Sequence, residues 1–131
     1  MRFRYPKNTK GQSLVETALV LPVLLLIMTG IIDFGLLFNN YLVVSNASRE
    51  GARSAAVGST DDQITEAVHS MAASLDISKL TITISPGQSY RATGDAATVT
   101  VQYEYSMITP IIGAIVPGPL QLRTTTTMRC E

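Results

Sequence analysis

The feature that most constrains this chain is an apolar run near its start. From Ala18 to Ile32 the sequence reads ALVLPVLLLIMTGII, interrupted only by a threonine and a glycine. A core helix of a soluble protein would show a polar face with a period of three to four residues, and this run has none. A helix from Leu14 to Phe38, which includes Glu16 and Asp33, would be roughly 37 Å long and would cross a hydrocarbon core of about 30 Å. We therefore predict a single transmembrane helix held in a lipid bilayer.

The charges ahead of the apolar run indicate its orientation. Four basic residues and no acidic one come before Glu16, namely Arg2, Arg4, Lys7 and Lys10. Because positive charge resists translocation, we expect a cytoplasmic N-terminus and export of everything after about Phe38. A conventional signal peptide would need a small-x-small cleavage triplet directly after the run, and the first one, at residues 45–47, comes too far downstream.

Composition excludes several classes of function. The 131 residues include ten basic and ten acidic side chains, so a basic nucleic-acid-binding surface is disfavoured. The single Cys and the single His exclude an intrachain disulfide and a zinc site of the usual Cys/His kind. No local nucleophile motif accompanies His69 to suggest a catalytic triad. We expect no metal, no cofactor and no enzymatic activity.

The most specific pattern is the junction between the basic leader and the apolar run. Glu16 lies just inside the apolar segment, five residues after Gly11. A charge inside a membrane helix costs several kcal/mol unless it lies near the interface or has a partner. In one interpretation Glu16 simply stays near the lipid headgroups. In the other, the chain is cleaved after Gly11, and Glu16 neutralises the new α-amine of Gln12 on a neighbouring subunit, which fixes the axial register of a helix bundle.

The N-terminal sequence resembles the type IV pilin superfamily and, more narrowly, the TadE-like family of minor pilins or pseudopilins of the bacterial tight-adherence (Tad/Flp pilus) secretion system. The features that carry the resemblance lie in about the first 45 to 50 residues and are Gly11-Gln12, Val15-Glu16, Ala18-Leu19, Leu21-Pro22, Asp33-Phe34-Gly35 and the run from Ala47 to Arg53. The position after the Glu, often aromatic in this family, holds Thr17 here.

The resemblance implies a structural role. It implies cleavage after Gly11 by a prepilin peptidase on the cytoplasmic face, location in the inner membrane, and assembly with other pilin or pseudopilin subunits and the Tad assembly platform. The alternative function is an unprocessed single-pass membrane protein whose outer domain is a binding or sensing module.

Two features inside the predicted span favour bending. Pro22 lacks the N–H that would bond the carbonyl of Ala18, and Gly30 is a further soft point. Membrane helices tolerate such interruptions where neighbours or water satisfy the freed group. The two residues indicate either an ordinary kinked anchor or a hinge used when the subunit leaves the bilayer, and the sequence does not separate these readings.

Beyond Asp33 the helical period continues, which predicts one helix from Ser13 to about Ala56. Small residues recur at every fourth position, at Ala47, Gly51 and Ala55, so another element can approach this backbone closely. We expect the chain's own C-terminal domain to cover this stripe, and the alternative is a contact between subunits. The predicted divisions are a cleaved leader (1–11), a transmembrane helix (12–38), its amphipathic continuation (39–57) and an exported domain (58–131).

The exported domain reads as α+β. A capping box at Thr60 and an apolar stripe that continues to Leu75 predict a second helix from about Asp61 to Leu75. Period-two alternation then predicts three strands, Leu80–Ser85, Ala97–Tyr105 and Leu120–Cys130, which would form an antiparallel meander with its apolar face on the long helix.

Two details of this domain stay open at the level of sequence. The apolar connection from Met107 to Leu120 would either pack over the sheet or form a subunit contact. Cys130 is expected to be a small buried residue, with an intermolecular disulfide as the alternative.

Overall fold

The computed structural model describes residues 9–131, with side chains from Gly11 onward. Most of the predicted basic leader, including Arg2, Arg4 and Lys7, therefore lies outside the described residues. The elements follow in the order α1 (Thr9–Ala56), α2 (Asp61–Met71), β1 (Leu80–Ser85), β2 (Ala96–Tyr105), α3 (Pro110–Ile115) and β3 (Leu120–Arg129). This order, with one three-stranded antiparallel sheet, confirms the α+β class and the long N-terminal helix that the sequence predicts.

Helix α1 is continuous from Thr9, four residues before the predicted start at Ser13, and passes through Pro22 without interruption. Its end at Ala56 matches the prediction and has a clear local cause. Gly58 adopts a φ of 84°, which only glycine adopts without strain, and the N–H of Ser59 donates to the carbonyl of Ser54 over 3.2 Å. This pattern is a Schellman motif, which satisfies the last carbonyls of the helix.

Helix α2 begins as predicted and ends earlier. The Thr60 hydroxyl accepts from the N–H of Gln63 at 3.3 Å, and the Gln63 side chain accepts from the N–H of Thr60 at 3.1 Å. The helix ends at Met71, so the predicted end at Leu75 is wrong. The chain turns after Ala72, and the N–H of Leu75 donates to the Ala72 carbonyl at 2.9 Å. Leu75 therefore reaches the core from a turn, while Met71 stays exposed.

The sheet has the order β1-β2-β3, with β2 in the centre. In β1–β2, Leu80 pairs with Tyr103, and in β2–β3, Val101 pairs with Thr124. The predicted inward face of the central strand is buried along its whole length, at Val99, Val101, Tyr103 and Tyr105. The sheet packs through this face on the C-terminal part of α1, and α2 packs beside it, so a single core lies among α1, α2 and the sheet.

Candidate functional site

The two ends of α1 differ sharply in how much of the helix the chain itself covers. Every residue from 11 to 28 is exposed, and we call this range the bare segment. Residues 33–56, which we call the covered segment, have one face buried against α2 and the sheet. Within the described residues, one helix is long and apolar enough to cross a membrane, Gly11–Ala56, with a mean hydropathy of 2.4 over an 18-residue window. The bare segment thus has the composition of a lipid-facing helix, and no other part of the described chain covers it.

The hydroxyls of Thr17 and Thr29, in the N-terminal half of α1, are hydrogen-bonded to carbonyls of the same helix. Thr17 Oγ1 donates to the carbonyl of Ser13 at 3.0 Å. Such back-bonding removes the cost of placing a hydroxyl in lipid. Glu16 differs from these residues, because among the described residues no cation or side-chain donor bonds its carboxylate. Glu16 is therefore an exposed acid on an otherwise apolar face, without a partner among the residues that the structure describes.

Gly11 and Gln12 lie in the first turns of α1. A Cβ added at Gly11 would meet no atom within 4 Å, so the fold of the subunit does not require glycine there. Gln12 and Glu16 are four residues apart and share one face of the helix, about 6 Å apart along its axis. The geometry places the predicted new N-terminus one helical turn from the acid, on the same exposed surface.

The predicted hinge residues both lie in unbroken helix. Pro22 is inside the bare segment, where its missing N–H leaves the Ala18 carbonyl without a backbone partner. Gly30 lies just beyond it, and a Cβ added there would approach Cδ1 of Ile112 at 3.8 Å, an ordinary contact distance. A hinge at these positions stays a prediction.

The small-residue stripe lies in the covered segment and faces this chain's own domain. Ala47 and Ala55 are fully buried. A Cβ added at Gly51 would lie 2.7 Å from Cγ2 of Val68 in α2 and 3.0 Å from Cγ1 of Val99 in β2. Three elements therefore meet at Gly51 at a separation that leaves no room for a side chain.

A buried hydroxyl fixes the same helix face on the sheet. Ser48 is fully buried, and its Oγ is hydrogen-bonded to the carbonyl oxygen of Val99 at 3.0 Å and to Oγ1 of Thr126 at 2.8 Å. A buried hydroxyl is costly unless bonded, so these two contacts specify how α1 sits across β2 and β3.

Asp33 has a role that the sequence reasoning missed. Its side chain is only 3% exposed, and its Oδ2 accepts a hydrogen bond at 3.2 Å from the backbone N–H of Thr109. The connection between β2 and β3 therefore docks on α1 rather than over the sheet, with Ile112 beside Gly30 and Met107 beside Phe34 and Leu37. The signal in the sequence is a carboxylate directly after the apolar run, at a position that the transmembrane prediction includes without assigning it a role.

The comparison with protein families bears on α1. A family model described as TadE-like protein matches residues 11–53. This stretch of the chain is similar to TadE-like proteins. The resemblance stated from the sequence is confirmed there, over about a third of the chain. No curated protein and no solved structure matches the chain.

The TadE-like match lies entirely within α1. It begins at Gly11, runs through Glu16 and Asp33, and stops at Arg53, before α2 and the sheet. The part of the chain that is similar to TadE-like proteins is therefore also the helix that is long and apolar enough to cross a membrane.

The region outside the TadE-like match supplies two further groups near the helix. Burial raises the pKa of the Tyr105 hydroxyl, and the nearby charge of Asp33 and then Tyr103 add to the increase. That hydroxyl is buried without a hydrogen-bond partner among the described residues. Cys130 is a buried free thiol whose Sγ lies 3.9 Å from the Ala55 carbonyl. No group of three or more His, Cys, Asp or Glu suited to a metal ion occurs in residues 9–131.

Proposed function

We propose that this protein is a minor pilin or pseudopilin subunit of a Tad-type pilus or secretion assembly, with a structural rather than a catalytic role. Helix α1 holds it in the inner membrane with its N-terminus in the cytoplasm and its α+β domain outside. A prepilin peptidase cleaves it after Gly11, and the processed subunit joins other pilin or pseudopilin subunits at the Tad assembly platform.

The observation that carries this proposal is the bare segment. A helix that is apolar on all sides and that the described residues leave uncovered needs an apolar environment from outside. Lipid supplies that environment in the membrane, and the bare segments of neighbouring subunits supply it in an assembly. The covered segment has one face packed within the chain, whereas the bare segment has no face packed against the described residues and is free to exchange lipid for other subunits.

Glu16 fixes the axial position of one subunit's helix relative to its neighbour's. An exposed carboxylate on an apolar helix is costly in lipid unless it is near the headgroups or paired. Cleavage after Gly11 creates an α-amine on Gln12, one turn away on the same face. Within one helix the two groups are about 6 Å apart along the axis, so a neighbour displaced axially by about one turn brings its amine level with this Glu16.

The decisive experiment measures processing. Intact-mass analysis of the protein from membranes that contain the peptidase should give a chain that starts at Gln12. A Gly11→Leu variant should keep the leader, because the peptidase must accommodate the residue before the cleaved bond. Since the subunit has free space at Gly11, a defect in this variant reports on the peptidase and not on folding.

A matched control is available at Gly35. This glycine also lies in α1 with no atom within 4 Å of an added Cβ, so Gly35→Leu introduces the same side chain far from the cleavage site and should be processed normally. If functional, membrane-resident protein retains its leader, the proposal is wrong. The chain would then be an unprocessed single-pass protein whose outer domain binds or senses a partner.

A further inference from the structure

The connection between β2 and β3 is unusually apolar for an exposed loop. Residues 106–119 read SMITPIIGAIVPGP and contain no charged side chain. Four of its large apolar residues are nevertheless exposed, namely Ile108, Ile111, Ile115 and Val116. A contiguous apolar patch on a water-exposed domain marks a contact surface. We call residues 107–118, which include α3, the α3 loop.

Two contacts fix the position of the α3 loop along α1. The N–H of Thr109 bonds Asp33 Oδ2, and Cδ1 of Ile112 lies beside Gly30. Both helix residues lie where the bare segment of α1 gives way to the covered segment. The loop therefore leaves the sheet and reaches back along α1 toward the bare segment.

The length of α1 places this contact relative to a bilayer. From Leu14 to Asp33 the helix rises about 29 Å, close to the hydrocarbon thickness of about 30 Å. Asp33 then lies at the boundary of the hydrocarbon on the side of the folded domain. Gly30 lies about 4 to 5 Å deeper, and it is the residue that Ile112 contacts.

We infer that the α3 loop inserts its exposed isoleucines into the leaflet on the domain side, as a second membrane contact beside α1. The occupant of this apolar surface is the lipid bilayer, because the surface is continuous with the lipid-facing helix and lies at the same depth. The loop also covers Asp33, whose carboxylate would otherwise face hydrocarbon, and it donates a hydrogen bond to it. Two contacts at this depth fix the orientation of the domain to the membrane plane.

This inference depends on the crossing of the membrane by α1 and not on cleavage or assembly. The chain contains no tryptophan, so each single Trp substitution gives an unambiguous fluorescence signal. The probe is the full-length protein in phosphatidylethanolamine/phosphatidylglycerol vesicles whose acyl chains carry bromine, a contact quencher. Bromine near the headgroup reports shallow insertion, and bromine near the chain end reports deep insertion.

Four substitutions at exposed positions make the comparison. Ile115→Trp, at a residue 75% exposed, should lose about half of its emission to lipid brominated near the headgroup, because side chains at interfacial depth contact the upper acyl chains. Ile111→Trp should behave alike and guards against misfolding of one variant. Tyr90→Trp, at an 81% exposed residue of the distal β1–β2 loop, should not be quenched. Leu25→Trp, inside the bare segment, should be quenched most by lipid brominated near the chain end.

Each result decides the question. If Leu25→Trp is quenched and both loop variants are not, the α3 loop does not contact lipid and the inference is wrong, even if α1 spans the membrane. Blue-shifted loop emission without lipid quenching would show that a second protein surface covers the loop, which also overturns the inference. If Leu25→Trp itself is not quenched, α1 does not cross the bilayer, and both the inference and the proposed function are refuted.

Discussion

The bare and covered segments belong to one continuous helix, yet they find their partners in different ways. The bare segment carries leucine, isoleucine and valine on all sides, so no face is favoured for packing within the chain. The covered segment carries a stripe of small residues and a buried serine, which fit only one arrangement against β2 and α2. A uniformly apolar surface accepts any apolar surroundings, whereas a small-residue stripe with a placed hydroxyl specifies one partner.

The largest expected effect on stability comes from a substitution in the covered segment. Gly51→Leu should destabilise the domain by about 3 kcal/mol or more, because even its Cβ would lie 2.7 Å from Val68 Cγ2 and the remaining atoms have no space. The measurement is thermal unfolding of the full-length protein in detergent micelles, followed by circular dichroism.

Gly35→Ala is the matched control for this prediction. Its added Cβ has free space, so it should be neutral or stabilise the helix by about 0.5–1 kcal/mol through the higher helix propensity of alanine. Equal melting of the Gly51 variant and the wild type would mean that α1 and the sheet are not in contact at Gly51.

The second prediction concerns a substitution in the bare segment, which should impair assembly and leave the stability of the folded domain unchanged. Glu16→Ala should reduce incorporation into assemblies by about tenfold or more, since loss of a charge pair in an apolar environment costs more than 1.4 kcal/mol. Membrane insertion should be unaffected or slightly improved, because the change removes a charge from the helix. The measurement compares the subunit in sheared or crosslinked assemblies with the subunit in total membranes.

A Glu16→Gln variant tests whether assembly needs the charge of this side chain or only its size and shape. It keeps the size and hydrogen-bonding capacity of the side chain, so it should be nearly as defective as alanine if the partner is the α-amine of Gln12. Both variants should still be processed to a chain that starts at Gln12. Normal assembly of both would remove electrostatic registration from the proposal.

The two segments also show which structural features local sequence could predict. Alternation with a period of two predicted all three strands to within a residue or two, and the inward face of β2 from Val99 to Tyr105 is buried as predicted. The capping box at Thr60 predicted the start of α2, and the extent of the helical period predicted the end of α1 at about Ala56. These signals are local, since each depends on residues a few positions apart.

The failures involve contacts that are distant in sequence. Asp33 and Thr109 are 76 residues apart, and no periodicity relates them, so the docking of the α3 loop on α1 could not be predicted. The end of α2 was predicted too late because Leu75 continues the apolar period, although it reaches the core from a turn. Both errors arise where tertiary contacts, rather than local propensity, decide the conformation.

The smallest expected effect on stability is at Tyr105, next to the α3 loop that docks on the start of the covered segment. Tyr105 lies at the end of β2, where the sheet gives way to the α3 loop, and its hydroxyl is buried without a partner among the described residues. Tyr105→Phe should therefore leave stability unchanged or raise it by up to about 1 kcal/mol, because it removes a buried polar group that gains no hydrogen bond. The exposed Tyr90→Phe is the control and should have no effect.

The raised pKa of Tyr105 also predicts how the stability of the domain changes at alkaline pH. Because burial raises the pKa of Tyr105 above its ordinary value of 10.0, the unfolded chain ionises first as the pH increases. Below about pH 10 the hydroxyl is neutral in both the folded and the unfolded chain, so it adds no pH-dependent cost to the one described above, and stability is lost as the pH rises from there through the folded pKa. Tyr105→Phe should reduce this alkaline loss and Tyr90→Phe should not, measured as the melting temperature between about pH 8 and pH 11. An identical alkaline loss in all three proteins would mean that Tyr105 is solvated, and that the α3 loop does not close the apolar boundary between the helix and the sheet.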